Sequence, residues 1–224
     1  MLISYWCGSK VLPGFYYVCR LVIKMLLLLL THWQVRGKGN VPGRGPLLIV
    51  ANHINLADPV LIGASLRRKV TFMAKEELFR APFSRFFMCN FGAFPVRRGR
   101  IDRKAFNQAN QVLAEGRVLV VFPEGRRSQN NQLQTAFLGS ALIALRNGAL
   151  VLPVGISGSE KIKGLAWMLR RPRVMVNIGN PFYPPSGSGR LTREELAELT
   201  DSMMSHIAEL LPPEYRGDYA GRGN

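Results

Sequence analysis

The sequence predicts an α/β fold: a mostly parallel central sheet flanked by helices on both faces, preceded by an N-terminal membrane-associated helical segment. Three observations predict it. Short, β-branched apolar runs at 47–51, 118–122 and 150–156 read as buried strands, and they alternate with stretches of helical character, as in a parallel sheet covered on both sides. The run 15–33 is the most hydrophobic in the chain and ends in Met25 followed by five leucines. A turn-rich stretch at 37–46, with four glycines and two prolines, separates the two. The expected organisation is a membrane-associated helical segment at 1–36, an α/β domain at 37–212 and a loosely ordered tail at 213–224.

Taken in order, the apolar run comes first. Arg20 and Lys24 lie four apart and share one helical face. About ten apolar residues at about −0.3 to −0.6 kcal/mol each do no better than balance two central charges at about +2.5 to +3.5 each. A helix lying in the membrane interface, with its basic face toward lipid phosphates, is therefore at least as good a reading as a span. A helix buried in the soluble body is the third reading.

Residues 47–51 form the first strand of the body, and Asp58-Pro59 opens a buried helix, with Asp58 as N-cap and Pro59 at the first helical position. A short strand at 70–73 follows. Residues 75–90 read as a short helical stretch broken at Pro82, and 91–96 as a strand delivering Arg97-Arg98-Gly99-Arg100. Asp102 caps a helix that Gly116 terminates. Strand 118–122 runs straight into Pro123-Glu124-Gly125-Arg126-Arg127-Ser128. A helix at 137–146 precedes strand 150–156, where Pro153 implies a bulge, a strand end or an edge. Residues 164–171 suit either a second membrane-touching helix or a packed surface helix, and 173–178 alternates as a half-exposed strand. Thr192 and Glu195 form a capping box for a last helix with Leu196, Leu199, Met203, Ile207 and Leu210 on one face. His206 falls off that stripe and reads as solvated.

Composition narrows the function. The net charge of +16 over 224 residues requires an anionic partner: nucleic acid, anionic lipid or an acidic substrate. Phe83, Phe86, Phe87 and Trp167 sit in apolar runs, not interleaved with basic residues, so no nucleic-acid partner is expected. A bilayer with anionic lipids accounts for the charge more simply. Cys7, Cys19 and Cys89 are scattered, share no metal-ligand spacing and read as structural thiols in a reducing compartment. No metal site is expected.

The chemistry-bearing clusters, at 52–58, 97–100 and 124–128, each follow a strand, and a parallel sheet can gather them on one rim. His53 and Asp58 can form a base and its orienting carboxylate. Alternatively, Asp58 only caps a helix and His53 is an ordinary loop histidine. The chain offers no G-x-S-x-G and no cysteine in a motif, hence no obvious nucleophile. A base without a protein nucleophile suits a reaction in which the substrate's own hydroxyl attacks. Arginine clusters beside it suit a phosphate on that substrate.

The same residues carry a resemblance. Asn52-His53-x4-Asp58, Gly92 to Arg97, Phe122 to Ser128 and the apolar Val151-Leu152-Pro153-Val154 resemble, in order, the four sequence blocks of the glycerolipid acyltransferase family. The resemblance runs from about residue 35 to about residue 183. It implies that His53 takes the proton from an acceptor hydroxyl attacking an acyl thioester, with Asp58 orienting it and no acyl-enzyme. It implies that Arg97, Glu124, Gly125 and Arg127 bind a glycerol phosphate, supported by Asn52, Asn55, Arg98, Arg126 and Ser128. The implied co-substrate is acyl-CoA or acyl carrier protein, with no cofactor, and the implied acceptor is lysophosphatidate or another lysophospholipid. The site is expected to face the cytoplasm from the membrane surface. Two residues depart from the family pattern: Arg126 stands where threonine is usual, and Asn55 where serine is common.

Overall fold

Residues 47–51, Leu-Leu-Ile-Val-Ala, have no polar side chain for either face, and the strand they form, β2 (Leu47–Ala51), is buried throughout in the middle of the sheet. The computed structural model describes residues 14–97, 102–185 and 191–221. The other strands are β1 (His32–Arg36), β3 (Val70–Lys75), β4 (Ala93–Val96), β5 (Val118–Val121), β6 (Leu150–Ser157) and β7 (Arg173–Ile178). Together they make a seven-stranded sheet in the order β1-β7-β6-β2-β5-β3-β4. Every pairing is parallel except that of β6 with β7.

Alternate residues of β2 point to opposite layers. Leu47, Ile49 and Ala51 join one core, with α1 (Phe15–Leu30) and α2 (Asp58–Ser65). Leu48 and Val50 join the other, with α4 (Arg103–Ala114), α5 (Gly139–Asn147) and α7 (Arg193–Glu209). Each such Leu, Ile or Val contributes about 1.5–3 kcal/mol by burial. The remaining helices are α3 (Pro82–Asn90) and the four-residue α6 (Trp167–Arg170).

Local signals place several ends as expected. Asp102 accepts from the N–H groups of Lys104 and Ala105, and the Thr192–Glu195 capping box is complete. Pro153 sits inside β6, yet at that point the ladder to β7, which starts at Val154, has not begun. Its carbonyl faces that side and accepts from Gly179 N at 2.9 Å, so the missing N–H leaves no strand partner unsatisfied.

Five expectations are corrected. The boundary after residue 36 is not where the sheet begins: β1 pairs with β7 from His32↔Arg173 to Arg36↔Asn177, so residues 32–36 belong to the body. Pro82 starts a helix instead of breaking one. Residues 213–219 form two 3-10 turns, with Tyr219 buried, in place of a loose tail. His206 is half-buried, stacked on Phe182 at 4.5 Å with Nδ1 2.7 Å from the carbonyl of Ser202. Cys89 is disulfide-bonded, while Cys19 is a free thiol.

The N-terminal helix is present, with an unexpected orientation. Tyr16 and Leu27 turn inward, and the Tyr16 hydroxyl accepts from Val70 N at 3.3 Å. Arg20 also points along the body, donating to the carbonyl of Arg67 at 2.8 Å. What faces outward is hydrocarbon: Tyr17, Val18, Leu21, Val22, Met25, Leu26, Leu28 and Leu29 are all exposed. The basic face expected outside is therefore on the flank. No helix among the described residues is long and apolar enough to cross a membrane.

Candidate active site

The site begins where β2 ends. The Asn52 side chain donates to the carbonyl of Ile156 at 2.8 Å and accepts from its N–H at 2.7 Å, continuing the β2–β6 ladder one residue beyond the strand. Asn52 is thus a buried tie between strands. His53, next in line, is held on every side. Its backbone N–H donates to Glu124 Oε1 at 3.0 Å, its carbonyl accepts from Ser128 N at 2.7 Å, and its ring stacks on Phe122 at 4.2 Å.

His53 Nδ1 lies 2.9 Å from Asp58 Oδ2. Asp58 is fully buried, and the same oxygen accepts the N–H groups of Ile54 and Asn55 at 2.7 Å each. Its other oxygen accepts the Ser159 hydroxyl at 2.6 Å. These contacts explain why Asp58 is not the N-cap the sequence predicts. Ala57 occupies that position, and the carboxylate, at the first turn of α2, reaches back to the loop before it. An ionised carboxylate only accepts, so Nδ1 carries the proton and Nε2 keeps its lone pair. Nε2 makes no hydrogen bond to any described residue. It is the ring nitrogen left open to a substrate.

Glu124 is 1 % exposed, and its oxygens are taken by His53 N and by Gln134 N at 3.3 Å. Burial pushes its carboxyl up to about 7, against the opposing pull of those two N–H groups. Gly125 has φ +65°, and a Cβ there would meet the Phe137 ring at 2.9 Å, so the turn requires glycine. The N–H of Gly125 is used inside the turn, donating to the Phe122 carbonyl at 3.0 Å. Arg126 and Arg127 are exposed beside it and make no hydrogen bond to a described residue. Ser128 donates its hydroxyl to Asn130 at 2.8 Å, and Asn55 accepts from Ala57 N at 2.9 Å in its own turn.

Arg97 leaves β4 on the same rim, but β5 and β3 stand between β4 and β2, so it lies about 14 Å along the rim from His53 by strand spacing. Its guanidinium grips both oxygens of Glu76, at 2.6 and 3.3 Å. Arg98 lies outside the described residues. The structure therefore joins the 52–58 and 124–128 clusters directly and leaves Arg97 apart. It also brings in three partners that sequence reasoning did not assign: Phe122, Ser159 and Glu76. Phe122 was visible inside its block; Ser159 and Glu76 carried no local signal. Among the described residues no three His, Cys, Asp or Glu side chains gather as metal ligands.

A histidine held by a buried carboxylate, on the rim of an α/β sheet beside a cationic turn, is an arrangement suited to group-transfer enzymes. The Acyltransferase family model matches residues 32–157, more than half of the chain, and the chain belongs to that family and is an acyltransferase. It is 27% identical to 1-acyl-sn-glycerol-3-phosphate acyltransferase of Bacillus subtilis over 197 residues, covering 87% of this chain and 96% of that protein. It is 36% identical to lyso-ornithine lipid O-acyltransferase of Pseudomonas aeruginosa over 181 residues, covering 74% of this chain and 68% of that protein. The crystal structure of the 1-acyl-sn-glycerophosphate acyltransferase PlsC from Thermotoga maritima superposes with a TM-score of 0.65 at 27% identity, over 90% of this chain and 83% of that one.

Proposed function

We propose that the protein transfers a fatty acyl group from acyl-CoA or acyl carrier protein to the free hydroxyl of 1-acylglycerol-3-phosphate, giving phosphatidate. The observation that carries this reading is the His53–Asp58 contact at 2.9 Å, which leaves Nε2 unoccupied on the rim. Nε2 takes the acceptor's hydroxyl proton as that oxygen attacks the thioester carbonyl. The tetrahedral adduct then expels the thiolate, which takes the proton from the imidazolium. The new ester bond replaces the C–S bond, and no acyl-enzyme forms. Such a base contributes about 10²–10⁴ in rate. Asp58 fixes the tautomer and stabilises the imidazolium.

Arg127 and Arg126, exposed beside His53, hold the acceptor phosphate, with Arg97 further along the rim. Glu124 and Gly125, given to substrate binding by the resemblance, act here by shaping the loop that carries His53. The reaction runs at a bilayer surface that the apolar outer face of α1 contacts, with the site facing the cytoplasm. Phe83, Phe86 and Phe87 of α3 extend that face, because Phe15 of α1 packs on Phe86 at 5.1 Å and Phe87 at 5.9 Å. Leu165 and Leu169, 80 and 90 % exposed, extend it at the other end, where Arg171 donates to the carbonyl of Leu28 at 3.3 Å.

A second acceptor, a lyso-ornithine lipid, is favoured by the 36% identity to the Pseudomonas enzyme. An acceptor panel decides between them: thiol release is followed with lysophosphatidate, other lysophospholipids and lyso-ornithine lipid. Preference for lysophosphatidate supports the main reading, and preference for the phosphate-free lipid replaces it with the second.

A further inference from the structure

We propose that Ser159 is a positioning residue for the His53–Asp58 pair, and that the chain beyond α7 holds Ser159 in place through Tyr215. The proposal rests on His53 acting as the base.

Asp58 Oδ2 carries three donors, all from residues 53–55. Oδ1 has one, the Ser159 hydroxyl at 2.6 Å, and both side chains are fully buried. Without that hydroxyl, Oδ1 would be a buried acceptor with no partner, and the carboxylate would be anchored through Oδ2 alone. The hydroxyl also draws negative charge from the carboxylate and so moderates its pull on the imidazolium.

Ser159 sits on a turn built to approach closely. Gly158 before it has φ +80°, and a Cβ there would run into the carbonyl of Arg173. The Tyr215 hydroxyl accepts from Gly158 N at 3.2 Å and donates to Glu160 Oε1 at 2.9 Å, so it bridges the residues on either side of Ser159. Burial and the Glu160 carboxylate push this phenol up to about 12, which keeps its proton in place at neutral pH. The carbonyl of Tyr215 accepts from Leu133 N at 2.8 Å, and the next residue, Gln134, donates to Glu124. Tyr215 thus braces the segments behind both carboxylates that hold His53.

The test is Ser159→Ala in the full chain, in detergent, with two readouts: acyl-transfer kinetics and NMR titration of the histidine rings. The ionisable groups facing His53 are Asp58 from α2 and Glu124 after β5, with Arg126 acting on Glu124, and Glu160 and Tyr215 behind Ser159. Because burial pushes the Glu124 carboxyl up to about 7, His53 is read from its own ring signal, assigned by its loss in His53→Ala. Ser159→Ala is expected to lower kcat about tenfold with both KM values within about twofold, and to raise the His53 pKa by about half a unit. His32 and His206 are expected to stay unmoved. Tyr215→Phe, which keeps the ring, is expected to move both readouts the same way by less, and it decides the matter if Ser159→Ala fails to fold. A fall in kcat with the His53 pKa unmoved would assign Ser159 to packing alone and overturn the proposal, as would no change in either readout. Full activity in His53→Ala would instead overturn the base assignment, whatever the titration shows.

Discussion

Glu124 Oε1 accepts the backbone N–H of His53 at 3.0 Å, so an acid from the end of one strand holds the loop at the end of its neighbour. The contact spans 71 residues of sequence and crosses the β2–β5 pair. With Ser128 N on the His53 carbonyl, it closes a clamp on both backbone groups of the base. The loop that carries His53 is thereby tied to the arginine-bearing turn.

Glu124 makes stability depend on pH in a direction opposite to most carboxylates. Its folded value of about 7 exceeds the ordinary 4.5, so the folded protein keeps a proton that the unfolded chain releases between those values. This contribution is complete below about pH 4.5 and is lost as pH rises through about 7, a change of roughly 3 kcal/mol. Melting curves are expected to show the wild type losing about 5–10 °C from pH 5 to pH 8 relative to Glu124→Gln, which lacks the titrating group. Parallel curves for the two proteins would contradict this.

His53→Ala is expected to lower the rate of thiol release by about 10²–10⁴ in a protein that still folds, with a lowered melting temperature because the buried ring leaves its stack on Phe122. Activity within tenfold of wild type would exclude His53 as the base.

Arg127 is exposed and makes no hydrogen bond to the described residues, so its loss costs the fold little. Arg127→Ala is expected to raise KM for a phosphate-bearing acceptor about tenfold or more, with KM for the acyl donor within about twofold. A change confined to the donor would move the phosphate site elsewhere.

Leu21 and Met25, one turn apart on the outer face of α1, are 61 and 62 % exposed. Leu21→Asp with Met25→Asp is expected to weaken sedimentation with vesicles containing anionic lipid about tenfold, with melting nearly unchanged. Undiminished binding would place the membrane contact on another surface.

Much of the molecule is legible residue by residue. The apolar runs at 47–51, 118–122 and 150–156 read as buried strands because no face of them suits water, and each forms one. Asp102 and Thr192 marked helix starts because their oxygens meet orphan N–H groups within three residues. β1 was missed although His32-Trp33-Gln34-Val35-Arg36 alternates correctly, because Trp33 reads as the end of the leucine run before it.

The sequence by itself therefore determined six of the seven strands and the helices capped by Asp102 and Thr192, and it offered His53 and Asp58 as a pair, since these depend on neighbours a few residues apart. Only the tertiary structure decided what surrounds that pair. Glu124 reaches His53 because β5 lies beside β2, and Ser159 reaches Asp58 across 101 residues because β6 lies on the other side. The same is true of α1, whose composition allowed either face to turn outward. Its Tyr16 found a partner at Val70 and its Arg20 one at Arg67, which left the hydrocarbon facing out. Strand order and helix docking are set by the joint burial of all the elements, and no local stretch of sequence contains that sum.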